Sequence, residues 1–134
     1  MMEIGARMVK DHPLVGVGPN MVPRLYEQYR PDYAINKVNP HLHNVPLQIA
    51  AERGLPALAI WLWLIVSLTI SLFRLFRRSS DKVLPATALA AIAAMLAAGL
   101  FEYNFGDSEF LMLFLVLVTL PFAVTHGAAA PHSA

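Results

Sequence analysis

Two histidines and an asparagine occur within the run Pro40-His41-Leu42-His43-Asn44, directly ahead of a stretch that reads as a helix start. Neutral imidazole is the side chain best matched to taking a proton from a hydroxyl near pH 7. Asn44 is an N-cap candidate for a helix from Val45 to Arg53, with Pro46 in its first turn and Gly54 at the C′ position. His43 immediately precedes that N-terminus, whose positive dipole end disfavours imidazolium and keeps a neutral base available. A histidine there serves equally well as a capping or interfacial residue, and both readings stand. His41, two residues earlier, is expected to point away from His43, so no metal site is assigned to the pair. Exposed loop polarity and contact with a substrate are both open to His41.

Arg24 and Arg30 are the cations placed to meet an anion, because the planar guanidinium fork suits bidentate phosphate binding. Glu27 and Asp32 lie close by in sequence and offer simple pairing instead. Tyr26, Tyr29 and Tyr33 combine an apolar ring with a polar tip, which fits stacking on sugars or an interfacial belt. Gly16-Val17-Gly18 lacks the strand, third glycine and following helix of a dinucleotide loop and reads as a turn. The absence of cysteine excludes disulfides, thiolate metal sites and a cysteine nucleophile together. Ten basic residues against nine acidic ones give a net charge of +1, so no charge field points to nucleic acid.

The elements that must hold these residues divide the chain in two. Residues 1–54 are polar, turn-rich and aromatic; residues 55–134 are mostly apolar. With 57% hydrophobic and 14% charged residues, and a mean hydropathy of +0.52, the expected class is an all-α integral membrane protein. Leu55 to Phe73 and Val83 to Phe101 each run 19 residues without an ionisable side chain, enough to cross a hydrocarbon core of about 30 Å. A third apolar run covers residues 110–124. About three transmembrane helices are therefore expected, preceded by an outer segment with short helices at Glu3 to Lys10 and, capped by Asn20, at Met21 to Tyr29. The connection carrying Arg74, Arg77, Arg78 and Lys82 against Asp81 alone belongs on the cytoplasmic side. Residues 1–54 and the turn from Phe101 to Glu109 then face outward, and the acids Glu102, Asp107 and Glu109 read as ordinary turn residues. Ala86, Ala90, Ala94 and Ala98 form a small-residue stripe suited to close helix approach in lipid.

The stretch from Pro40 to Asn44, followed by Val45-Pro46-Leu47-Gln48 and Glu52-Arg53-Gly54-Leu55-Pro56, resembles the histidine–asparagine motif of the O-antigen ligase and polymerase superfamily. Pro13-Leu14-Val15-Gly16-Val17-Gly18 is similar to that family's proline–glycine segment, and the turn from Phe101 to Glu109 to a stretch before the last helix of some members. The resemblance implies a C-terminal portion of a glycosyltransferase, with spans expected ahead of Met1, seated in the bacterial inner membrane with residues 1–54 in the periplasm. It implies attack by a sugar hydroxyl on the anomeric carbon of an undecaprenyl-diphosphate-linked glycan, with a lipopolysaccharide core sugar as acceptor. Membrane lipids are the surroundings, and no cofactor is implied because the leaving group is already a diphosphate. His43 matches the motif histidine and is the implied general base; Arg24, Arg30, His41 and Asn44 are the implied substrate contacts. An O-antigen polymerase or a protein oligosaccharyltransferase would share these features, and a non-catalytic membrane remnant or accessory protein would keep the same helices without the activity. The 134-residue chain by itself is not expected to form the whole active site.

Overall fold

The computed structural model of the chain describes residues 1–31, 33 and 39–125, and the backbone of 126–129. Among these the architecture is entirely helical: α1 (Met2–Asp11), α2 (Val22–Tyr29), α3 (Val45–Arg78), α4 (Val83–Gly99) and α5 (Ser108–Ala129), with a short 3-10 turn at Asn104–Gly106 between the last two.

Local chemistry accounts for the ends. Glu3 in the first turn and Lys10 in the last complement the dipole of α1, and Pro13 stops it soon after His12. The Asn44 side chain accepts the Leu47 N–H at 2.9 Å, the capping bond expected at the start of α3, and Pro46 sits beside it. At α2 the expected cap does not form. Asn20 takes a left-handed conformation, φ 58°, and the helix begins one residue later with Met21 as its uncapped N-cap residue. Asparagine tolerates that backbone region, and here it turns the chain instead of closing the helix.

α3 is two helical arms joined at Gly54, whose φ of 83° and ψ of 171° lie outside the helical region. The break frees backbone groups in a specific way. Pro56 has no N–H to give the Glu52 carbonyl, and the Leu55 N–H turns from the Ala51 carbonyl to Pro13 O at 2.8 Å. The turn from Pro13 to Gly18 fills both vacancies: Val17 N–H donates to Ala51 O at 2.8 Å and Gly18 N–H to Glu52 O at 3.0 Å. Gly16, at φ 67°, lies so close that an added Cβ would come within 2.3 Å of the Glu52 carbonyl carbon. The glycine-rich turn is thus a clamp on the kink of α3.

Two apolar clusters result. Ile4, Met8, Val22, Tyr26, Leu42 and Ala51 bind α1 and α2 to the first arm of α3. Val45, Ile49, Trp61, Ile65 and Leu72 of α3 meet Ala88, Ile92 and Met95 of α4 and Phe114 and Val118 of α5 in the second. The buried residues of α4 are Pro85, Ala88, Ile92, Met95 and Gly99, so the alanine stripe at 86, 90, 94 and 98 lies exposed on its other side.

α3 and residues 108–125 of α5 are long and apolar enough to cross a membrane. α4, at 17 residues, spans about 25 Å at 1.5 Å per residue. Large apolar side chains such as Ile60, Trp63, Val66, Phe73, Met112 and Val116 are exposed along these helices.

Candidate functional site

The site begins where Leu42 is driven into the first cluster. Its side chain is almost fully buried, and its N–H donates to Gln48 Oε1 at 2.8 Å. Gln48 Nε2 then donates to Glu52 Oε1 at 2.9 Å, and Arg53 reaches Glu52 Oε2 at 3.4 Å. Gln48 and Glu52 are each 2% exposed, which makes this a buried polar chain along one face of the first arm of α3. It anchors the loop that carries the histidines. Gln48→Leu should strand both the Leu42 N–H and one Glu52 oxygen, at about 1–3 kcal/mol for each buried group left without a partner. A drop in the thermal unfolding midpoint of the purified protein in detergent checks this; an unchanged midpoint would show the chain to be dispensable.

With Leu42 turned inward, His41 and His43 lie together on the outer side, their ring centroids 4.3 Å apart. The expected divergence of the two rings is therefore overturned. Residues two apart in an extended stretch share a face, and it is the intervening residue that points the other way. His43 itself adopts φ 53°, a left-handed turn immediately before the Asn44 cap, which folds the pair further toward one point.

That point is Glu102, in the connection after α4. Glu102 Oε2 lies 3.2 Å from His43 Nδ1 and Oε1 lies 3.4 Å from His41 Nδ1. Oε1 also accepts the Tyr103 N–H at 2.9 Å. The Tyr103 N–H is the chief cause holding the Glu102 carboxyl below the usual carboxylate range, followed among the lowering causes by the hydrogen bond and charge of His43 and then the charge of His41. Desolvation acts the other way and outweighs each histidine contribution taken singly. Asn44 ties the two halves of the site together: its oxygen caps α3, and its Nδ2 donates to Leu100 O at 3.1 Å, two residues before Glu102. Both ends of the Asn44 amide are thus engaged within the fold.

The side chains of His41, His43 and Glu102 are 27%, 41% and 54% exposed and face a cleft of about 490 Å³. Asn20, Gln48, Glu52, Tyr103 and Asp107 also line it. A carboxylate on Nδ1 of His43 favours the tautomer with its proton there and leaves Nε2 as acceptor, the arrangement a base requires. Arg24 is exposed on α2 and Arg30 half-buried just beyond its C-terminal end; neither lines this cleft. Asp32 lies outside the described residues. Tyr33 donates a hydrogen bond to Glu3, and Tyr26 is buried in the first cluster.

Glu102 and Asp107 are the cleft residues that sequence reasoning set aside. The signal for them is topological: two successive long helices, α3 and α4, return the chain to the end from which it started, so the turn after α4 faces the histidine loop. Proximity at the level of individual atoms had no local signature.

A helical chain with two helices apolar enough for a membrane and an imidazole–carboxylate site defines the class to which comparison with known proteins adds a family. Residues 1–62, which carry the glycine-rich turn, His41, His43 and the kink of α3, match the family model described as O-antigen ligase. Glu102 lies beyond the matched segment. Comparison with curated proteins and with solved structures finds no match.

Proposed function

We propose that the chain carries the catalytic histidine of a membrane-embedded glycosyltransferase that moves a glycan from undecaprenyl diphosphate to a lipopolysaccharide core sugar. The observation that carries this reading is the contact of 3.2 Å between His43 Nδ1 and Glu102 at an open cleft, His43 lying in the segment that matches the O-antigen ligase family model. His43 Nε2 takes the proton of the acceptor hydroxyl as its oxygen attacks the anomeric carbon. The bond from that carbon to the diphosphate breaks, and the lipid diphosphate leaves with the electron pair. Glu102 orients the ring and stabilises the imidazolium formed in the step. Arg24 and Arg30, which stand outside the cleft, are the proposed partners of the diphosphate where it extends beyond it, and His41, which lines the cleft, is the proposed contact for the sugars.

The reaction needs the cleft on the outer side of the bacterial inner membrane. The first arm of α3, residues 45–53, lies at that surface, while the second arm, α4 and α5 cross the lipid with their exposed apolar side chains in contact with it. Because the natural chain has no cysteine, Tyr33→Cys and Ser80→Cys report the two sides cleanly. A membrane-impermeant thiol reagent should label the first in intact spheroplasts and the second only after permeabilisation. The reverse pattern would place the cleft on the wrong side for the reaction.

The direct test is transfer. Membranes containing the chain together with the further spans its active site requires, supplied with lipid-linked glycan and lipopolysaccharide lacking it, should yield glycan-bearing lipopolysaccharide in a reaction that depends on His43, whereas the 134 residues alone should yield none. A lengthened lipid-linked glycan would identify a polymerase, and glycan on protein would identify an oligosaccharyltransferase. No His43-dependent product of any kind would overturn the reading.

A further inference from the structure

The geometry points to a binding site for a divalent transition-metal cation of the zinc class formed by His41, His43 and Glu102, occupation of which switches the base off. The switch rests on the reading of His43 as base; the binding does not.

The first ground is position. One ligand atom from each of the three side chains can be chosen so that all lie within 4.8 Å of one another. Each imidazole nitrogen already approaches one oxygen of the carboxylate, His41 Nδ1 at 3.4 Å from Oε1 and His43 Nδ1 at 3.2 Å from Oε2. Ligands held about 2.0–2.2 Å from a tetrahedral ion stand about 3.4 Å apart, so the three ligand atoms, now within 4.8 Å of one another, have to draw together by about 1.4 Å at most. The rings belong to exposed or half-exposed side chains on a loop, and a small rotation suffices.

The second ground is an unsatisfied atom. His41 Nδ1 is buried and has no hydrogen-bond partner, since its approach to Glu102 lacks hydrogen-bond geometry. A buried imidazole nitrogen left unpaired needs a reason, and a cation bound between the rings supplies one. The third ground is chemical. Two imidazoles and a carboxylate suit zinc, nickel or copper, whereas magnesium and calcium favour oxygen ligands. Three protein ligands leave one coordination position open toward the cleft. The Tyr103 N–H on Glu102 Oε1 fixes the carboxylate from behind, as second contacts to metal ligands commonly do.

The consequence for His43 follows from proton placement. Without metal, Nδ1 carries the proton and Nε2 the lone pair. A cation on Nδ1 replaces that proton, the remaining proton of the neutral ring then sits on Nε2, and no lone pair is left to receive one from a hydroxyl.

The test uses the purified full chain in detergent, titrated with zinc chloride against a chromophoric zinc chelator, with magnesium chloride in parallel. One zinc per chain is expected and no magnesium. His41→Ala and Glu102→Gln should each weaken zinc binding by more than about tenfold, the lower end of the loss seen when even outer contacts of metal sites are removed. Circular dichroism establishes that each variant keeps the helical content of the parent, and Glu102→Gln preserves shape if the alanine variant does not. Cobalt(II) at the site should show the visible absorption of a tetrahedral ion. Failure of the parent to bind zinc, or equal binding by both folded variants, would overturn the site. In the transfer assay saturating zinc should suppress product and a chelator restore it; undiminished transfer at saturating zinc would overturn the switch. Loss of the zinc site would leave His43 standing as base, whereas an active His43→Ala enzyme would remove the base and leave zinc binding to be judged on its own titration.

Discussion

Replacing His43 with alanine should lower glycan transfer by about 10²–10⁴-fold, the range for loss of a positioned general base. The argument begins with the ring's surroundings: a carboxylate on Nδ1 at 3.2 Å, an open cleft that His43 lines, and a helix starting two residues later. The cap of α3 is Asn44 and not His43, so the variant keeps the bond that starts the helix. The strain of a left-handed residue at position 43 argues for checking protein amount first, since alanine tolerates φ 53° less well than glycine. His43→Gly serves as the control, because it relieves that strain while still removing the imidazole. Donor binding should survive in both variants, as a neutral base contributes little to holding a diphosphate. Arg24→Ala or Arg30→Ala should weaken donor binding if that side chain meets the diphosphate. A well-expressed His43→Ala protein with near-normal transfer would end the base assignment and leave His43 a role in shaping the turn before α3.

The second large effect is on folding. Gly54→Val should abolish accumulation of folded protein, and Gly54→Ala should lower it severely. At φ 83° and ψ 171° the backbone occupies a region essentially confined to glycine, and any other residue costs about 1–3 kcal/mol there. The overlap is worse than the torsion. A Cβ at position 54 would stand 2.2 Å from the Leu14 carbonyl oxygen and 2.4 Å from its carbon, both backbone atoms with nowhere to move. Relief would require the turn from Pro13 to Gly18 to lift away, breaking its three hydrogen bonds to Ala51, Glu52 and Leu55. At about 0.5–1.5 kcal/mol net each, with two carbonyls left unpartnered beside Pro56, that loss adds to the strain. Folded protein measured by size-exclusion chromatography in mild detergent checks the expectation. A monodisperse Gly54→Val protein with a normal melting point would mean that the clamp does not hold the kink.

The same kink separates what was legible in the sequence from what was not. Helix starts and stops rest on neighbours within four residues, so Asn44, Pro46, Gly54 and Pro56 could be read directly: a cap, a first-turn proline, a break and a new helical arm. The three apolar runs announced the long helices for a similarly local reason, since uninterrupted hydrophobicity needs no partner to be recognised. Asn20 shows the limit of that logic, because its side chain has the chemistry of a cap while the turn after Gly18 demands a left-handed backbone instead. The family motif singled out His43. The site around it is a property of the tertiary structure: Glu102 lies 59 residues away and reaches the ring only because α3 and α4 pack antiparallel and Asn44 bonds to Leu100. His41 joined the site because burying Leu42 forces its two neighbours outward, a choice made by the apolar cluster beneath the loop and not by the loop's own residues. Local propensity thus placed the helices and the family motif the candidate base, while burial and long-range packing decided which carboxylate and which second histidine stand beside it.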